Sequence, residues 1–342
     1  MSSWWDKRRH TDRRPLLLTR NRIQAALRAW FADRGFTEID PAYVVPSPGN
    51  EIHLHALPVT LTDADLETRQ AWLHTSPEFA MKKLLAAGEE KIFTFSRVWR
   101  DREAAAGALH RHEFTMLEWY RADAPYEQLM DDCEELLAIA CEAAGTDVLS
   151  HRGETCMPSR GLERLSVADA FLRQGIDLLA TIRDGQGDLE LLLRQGETLR
   201  GASRFETSWS DLFSMILTDL VAPGLGRGRA TILDRYPAPE AALARRAPDD
   251  PRVAERFELF ACGVELANGF GELTDPVEQR ARFKADMATR ERLYGERYPI
   301  DEDFLAALAD MPPASGIALG FDRLVMLATG APRLSDVIWT PV

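Results

Sequence analysis

Apolar residues recur at Ile23, Leu27, Trp30 and Phe31, the i, i+4, i+7, i+8 spacing of an amphipathic helix stripe, and Gly35 follows as a stop. Phe36, Glu38 and Pro41 then predict a short strand closed by its proline. At Thr75-Ser76-Pro77-Glu78 a hydroxyl, a proline in the first turn and a glutamate three residues after Thr75 announce a helix running to about Ala87, with Gly88 as its stop. Lys91 to Arg100 alternates apolar and polar side chains as a half-buried strand does, and Glu113 to Tyr120 reads as a second strand. The connection between them, Asp101 to His112, is rich in charge and alanine, so the pair is an antiparallel hairpin with a long loop. A helix is expected over 126–145.

Beyond it the pattern weakens. The stretch from about 146 to 205 reads as a mostly helical insertion, and the loop holding Gly224, Gly226 and Gly228 lacks the spacing of either phosphate-cradling glycine motif. Regularity returns with strands at Arg256 to Ala261 and Val264 to Leu273 across a turn at Cys262-Gly263. A charged helix follows over Val277 to Tyr294, then a strand of small residues from Gly316 to Gly320 and a helix from Asp322 to Thr329. Strands joined by long connections, mostly antiparallel, predict an α+β fold in which an antiparallel sheet is flanked by helices. No internal repeat is visible, and 1–342 is expected to form a single catalytic-type domain.

Charge narrows the partners. The chain of 342 residues has 41 Lys+Arg against 54 Asp+Glu, a formal net charge of -13. Binding a polyanion over a wide surface draws on counterion release at Lys and Arg contacts, so an acidic chain starts at a disadvantage with RNA. No run approaches the ~20 apolar residues of a membrane-spanning helix, and the apolar run after the N-terminal arginines, Leu16 to Leu18, is too short for a secretory signal. Four irregularly spaced cysteines with no C-x-x-C pair read as buried thiols of a cytoplasmic protein. His53-x-His55 has no further ligand nearby and reads as a polar strand face.

Four charged positions suggest chemistry. Arg100 ends one hairpin strand, Glu265 and Glu272 lie seven apart on another strand, and Arg323 opens the last helix. Singly, each is most often an ion-pair partner or a solvated charge. Together they are what a nucleoside-triphosphate site without a P-loop needs: carboxylates for Mg²⁺ and guanidinium groups for phosphates.

The arrangement resembles a known family. Phe31-x-x-x-Gly35-Phe36-x-Glu38-x-x-Pro41 looks like motif 1 of the class II aminoacyl-tRNA synthetases. Arg100 through Tyr120, with Glu113-Phe114-Thr115-Met116-Leu117-Glu118-Trp119-Tyr120, looks like motif 2, and Gly316 to Arg323 looks like motif 3. With Glu265-Leu266-Ala267-Asn268-Gly269-Phe270-Gly271-Glu272-Leu273 these are similar to the lysine-specific branch, clearly over about 20–125 and 230–340. Motif 1 begins about twenty residues from Met1, which leaves no room for the anticodon-binding OB domain of a lysyl-tRNA synthetase. The chain therefore looks like the free-standing paralogues of that enzyme, which attach β-lysine to a lysine of translation elongation factor P. Ala318, where the lysyl synthetases have glycine, and the Thr75–Glu78 helix start agree with this.

The resemblance implies roles. ATP would be bound by Arg100, Asp101, Arg102, Glu103, Arg111, Glu265, Leu266, Gly320 and Arg323. Arg100, on the α-phosphate, and Arg323, on the γ-phosphate, would be catalytic; Glu265 and Glu272 would bind Mg²⁺. Ser76, Pro77, Glu78, Glu118, Tyr120, Asn268, Glu272 and Ala318 would receive lysine or β-lysine, acidic because a diamino acid brings two ammonium groups that need desolvated partners. A homodimer through motif 1 is implied as well. Motif 2 departs from the family at Arg100-Asp101-Arg102-Glu103, in a longer Ala104-Ala105-Ala106-Gly107 loop and at His112, departures that bear on the adenine contacts of Arg102, Glu103 and Arg111 and leave Arg100 untouched. A truncated lysyl-tRNA synthetase acting on RNA and a silent synthetase-like regulatory module stay open as alternatives. Whether the amino acid is α- or β-lysine, and which group deprotonates the acceptor amine, also stay open.

Overall fold

The computed structural model describes residues 3–102, 109–195 and 208–341. Contacts divide the chain into two compact units, residues 1–125 with 274–342, and residues 126–273.

The first unit opens on α1 (Lys7–Asp33), capped by the Asp6 carboxylate on the Arg9 amide. It starts sixteen residues before Ile23, where the sequence predicts the helix. The N-terminal half carries little apolar stripe; it is held by distant polar partners, Arg13 on the Ile338 carbonyl and Arg20 on Asp322 and the Thr115 hydroxyl. The predicted stripe is buried, and Phe31 stacks on Phe93 at 4.4 Å. After it come β1 (Thr37–Glu38), then β2 (Val44–Val45), β3 (Pro58–Thr62) and β4 (Thr68–Leu73), which form a separate antiparallel sheet in the order β2-β4-β3. The helix signalled at Thr75–Glu78 is α2 (Glu78–Ala86). Its capping bond comes from Ser76, whose hydroxyl accepts the Glu78 amide at 3.0 Å, while the Thr75 hydroxyl donates to Pro48 O. The hairpin is β5 (Lys91–Trp99) with β6 (Glu113–Ala122).

The second unit contains α3 (Glu127–Ala144), β7 (Leu149–His151), β8 (Glu154–Cys156), β9 (Leu162–Ser166), α4 (Val167–Leu172), β10 (Ile182–Arg183), β11 (Gln186–Gly187), α5 (Leu189–Gln195), α6 (Trp209–Ile216), β12 (Ala230–Asp234), β13 (Arg256–Ala261) and β14 (Val264–Gly271). The described part of 146–205 thus alternates strands with short helices and is not mostly helical. The reason is non-local: β9 is a strand because it pairs with β12, Leu165 against Leu233, a partner no local window sees. The sheet order here is β14-β13-β12-β9. In the glycine loop Gly226 (φ +70) lets the chain pass β13 closely; a Cβ there would lie 2.6 Å from the Ala261 Cα.

The chain returns to the first unit with α7 (Pro276–Tyr294), α8 (Glu302–Leu308), β15 (Ala314–Gly320), α9 (Phe321–Thr329) and α10 (Leu334–Val337). Its larger sheet has the order β1-β5-β6-β15. Among the described strand pairs, β1 on β5 and, in the second unit, β9 on β12 are parallel and the remaining ladders given are antiparallel, so the strands are mostly antiparallel, as the sequence predicts. Both exceptions join strands far apart in the chain, and parallel pairing needs such a long connection. Among the described residues no helix is long and apolar enough to cross a membrane.

Candidate active site

In the first unit three of the side chains predicted to receive the amino acid, Ser76, Tyr120 and Ala318, meet at a fourth, the Glu118 carboxylate. Glu118 lies on β6 and is 1% exposed. Its Oε2 accepts the Ser76 hydroxyl at 2.9 Å and its Oε1 accepts the Tyr120 hydroxyl at 2.7 Å. Ser76 thereby does two jobs, starting α2 and orienting Glu118. The two hydroxyl donors fix the orientation of the carboxylate. Ala318 on β15 is the direct antiparallel partner of Glu118, and Gly316 that of Tyr120, so all four share one sheet face. Glu78 accepts from the buried Lys82 at 2.6 Å, one turn along α2. Pro77 sits between the two acidic-site residues Ser76 and Glu78 as the N-cap of the helix.

A residue the sequence reading passed over completes this corner. A cavity of about 30 Å³ is lined by Ser47, Gly49, Glu51, His74, Ser76 and Glu78, among others. Burial, and then the neighbouring Glu78, push the Glu51 carboxyl up to about 7 against the opposing pull of Arg100. Glu51 stands in an irregular loop without periodicity, so nothing in the local pattern marks it. His74 gives its Nε2 proton to the Arg97 carbonyl at 2.6 Å, and burial holds its pKa below the usual imidazole value.

Arg100 follows β5. Its amide is bonded to His112 O, its Nε donates to Thr75 O at 3.3 Å, and its guanidinium lies 5.4 Å from the Phe114 ring centroid. The phosphate-binding candidate thus sits on the segment that leads into the Ser76 corner. Asp101 is tied by its amide to His55 O at 2.6 Å, and Arg102 has its guanidinium on Glu296 at 2.7 Å. Arg111 is half-buried two residues before β6, and Glu103 lies outside the described residues, as do Ala104, Ala105 and Ala106. Gly320 caps α9, and Arg323 in its first turn donates Nε to Leu109 O at 3.3 Å. Between them Asp322 is 2% exposed; it accepts from Arg20 and from the Thr115 amide, which locks α9 to β6 and α1.

In the second unit the metal candidates lie on and just after β14. In a regular strand a separation of seven places two side chains on opposite faces. The register removes that difficulty. Glu258 pairs with Asn268 and Leu259 with Ala267, but Phe260 pairs with Glu265, leaving Leu266 as the extra residue of a bulge. Glu265 therefore returns to the face of Glu258, Asn268 and Phe270, the face whose alternation continues to Glu272. Leu266 is buried, Glu265 exposed, and Glu272 is 1% exposed. Burial, followed by the charge of Glu265, raises the pKa of Glu258 although Arg256 donates to it at 2.8 Å. The Asn268 side-chain oxygen is buried with no hydrogen-bond partner among the described residues. Two carboxylates on one face are hard oxygen donors, the set a divalent cation shares with nucleotide phosphates. Among the described residues there is no group of three or more His, Cys, Asp or Glu that could hold a metal ion. His53 and His55 lie outside any strand; His55 accepts from Arg290, and burial and Arg290 lower its pKa.

With this geometry in place, the comparisons are consistent. The family model "tRNA synthetases class II (D, K and N)" matches residues 2–342. The chain belongs to the class II aminoacyl-tRNA synthetase family, in the branch that takes its letters from aspartate, lysine and asparagine. Within it, a curated elongation factor P–(R)-β-lysine ligase of Proteus mirabilis is 38% identical over 331 residues, covering 95% of this chain and 94% of that protein. Proteins of the same name from Pectobacterium atrosepticum (38% over 324 residues, 94% and 93% covered) and Yersinia enterocolitica (38% over 335 residues, 95% and 94% covered) match equally well.

Proposed function

We propose that this protein is an ATP-dependent ligase that activates lysine or β-lysine as an aminoacyl-adenylate and transfers it to the ε-amine of a lysine on elongation factor P. The observation that carries the reading is the Glu118 carboxylate, buried, fixed by Ser76 and Tyr120, and faced by Ala318. A buried, oriented carboxylate beside a small side chain is a receptor for an ammonium group. The acceptor protein comes from the names of the relatives above.

In the first step a substrate carboxylate oxygen attacks the α-phosphorus of ATP, and pyrophosphate leaves with the electron pair of the bridging oxygen. This step calls for positioning and charge stabilisation and needs no general base. Arg100 bears on the α-phosphate and Arg323 on the γ-phosphate; Gly320 lets the backbone approach the nucleotide. Asp101, Arg102, Glu103, Arg111 and Leu266 complete the nucleotide contacts. Glu265 and Glu272 would hold Mg²⁺, which supplies neutralisation of the phosphate charge. Ser76, Pro77, Glu78, Glu118, Tyr120, Asn268, Glu272 and Ala318 bind the diamino acid. In the second step the acceptor amine attacks the activated carbonyl, AMP departs, an amide forms and the amine gives up a proton.

Transfer to protein is favoured over transfer to RNA by the net charge of -13, which works against a wide polyanion contact. The protein acts in the cytoplasm and as a homodimer through α1 and β1. Incubation with elongation factor P, ATP, Mg²⁺ and each lysine isomer, read by mass spectrometry, tests the reading. One added lysyl group on the factor supports it, whereas charging of tRNA with an unmodified factor overturns it.

A further inference from the structure

Arg290 stands on α7, is fully buried, and belongs to none of the residues assigned above. Its partners form a hub. Nη1 donates to the carbonyls of Glu51 (3.3 Å), Ile52 (2.7 Å) and Leu54 (2.9 Å). Nη2 donates to His55 Nδ1 (2.9 Å), the Tyr298 hydroxyl (2.8 Å) and Glu296 Oε2 (3.3 Å). The Tyr298 oxygen also accepts the Ala56 amide at 2.9 Å, and its ring centroid lies 4.1 Å from the guanidinium. Residues 51–54 belong to no strand or helix, so their carbonyls have no ladder partners and one planar five-donor group takes that place.

The held segment touches the site in two places. It presents Glu51 to the cavity that Ser76 and Glu78 line. Through the His55 carbonyl it also holds the Asp101 amide, next to Arg100, while Glu296 reaches from Arg290 to Arg102. We propose that Arg290 is a positioning residue for both substrates: a single guanidinium sets the wall of the amino-acid cavity and the register of the first residues after Arg100. This rests on the reading that Ser76 and Glu78 meet the amino acid and Arg100 to Arg102 meet ATP.

A residue that only supports folding would lower the amount of active enzyme and leave both KM values alone. A positioning hub moves both KM values together. The experiment is lysine-dependent exchange of labelled pyrophosphate into ATP by the full chain, giving kcat, KM for ATP and KM for the amino acid. Arg290→Lys keeps the charge and loses the fork; it is expected to raise both KM values about tenfold with kcat per folded molecule within about twofold. Tyr298→Phe removes one oxygen and is expected to raise both about threefold; it decides alone where Arg290→Lys does not fold. Either KM staying at the wild-type value in Tyr298→Phe, or in folded Arg290→Lys, overturns the proposal. Wild-type protein without exchange activity would instead overturn the ligase reading itself.

Discussion

Ala318 and Glu118 are direct partners across β15 and β6, so the Ala318 methyl group stands beside the carboxylate that Ser76 and Tyr120 hold. The smallest side-chain change at that position alters the room next to the site's central charge. Ala318→Gly is expected to shift the ratio of kcat/KM for α-lysine over β-lysine upward by about tenfold, the scale of one methyl group in a recognition pocket. Pyrophosphate exchange with each isomer measures it. An unmoved ratio would remove Ala318 as a selector.

Glu265 reaches the face of Asn268 and Glu272 only through the bulge at Leu266. Glu265→Ala is expected to lower adenylate formation by about a thousandfold, the several kcal/mol a metal contributes to charge stabilisation. Chelation of divalent cations should do the same to the wild type, and readdition of Mg²⁺ should restore it. Exchange that survives both treatments would contradict the metal assignment.

Asp322 sits buried between Arg20 and the Thr115 amide. Asp322→Asn keeps the shape but leaves Arg20 as a buried charge without its counterion, which should cost about 3 kcal/mol of stability. A urea midpoint within error of the wild type would show that the pair is not structural.

Glu51 has its carboxyl raised from 4.5 to about 7, chiefly by burial and secondly by Glu78. Between those values the folded state holds a proton that the unfolded chain has released, so stability falls as pH rises from about 4.5 to 7. Glu51→Gln removes that slope and should stabilise the protein above pH 7 by about 1–3 kcal/mol, given the part of the side chain that remains solvated. Melting curves at pH 5 and pH 8 measure it; equal shifts at both would mean that Glu51 does not titrate in this window.

The hairpin β5–β6, the helix after Ser76 and the strand Gly316–Gly320 were legible because each is local: alternation, a capping hydroxyl and a run of small residues can be seen in a short window. Arg100 just after β5, Glu118 on β6 and Arg323 in the first turn of α9 were marked as candidates by the resemblance of the motifs around them, which lie in or beside such local elements. The carboxylates of β14 show the limit. Their identity was visible, yet seven residues of regular strand would separate them, and only the pairing of β14 with β13 reveals the bulge that reunites them.

The N-terminal half of α1 and the strand β9 were missed for the same reason. Arg13 and Arg20 hold their helix through Ile338 and Asp322, and β9 exists through its pairing with β12. Glu51 and Arg290 left no trace in the pattern at all, because one lies in an aperiodic loop and the other is a charged residue on a charged helix.

Sequence alone determined the class of fold, the order of its main elements and the chemical identity of the acidic and basic groups, because these follow from short-range periodicity and from residue type. Tertiary structure decided which carboxylates share a face, which arginine is a structural hub and which carboxyl has its pKa raised. Those properties depend on burial and on partners brought from hundreds of residues away, and no local window contains them.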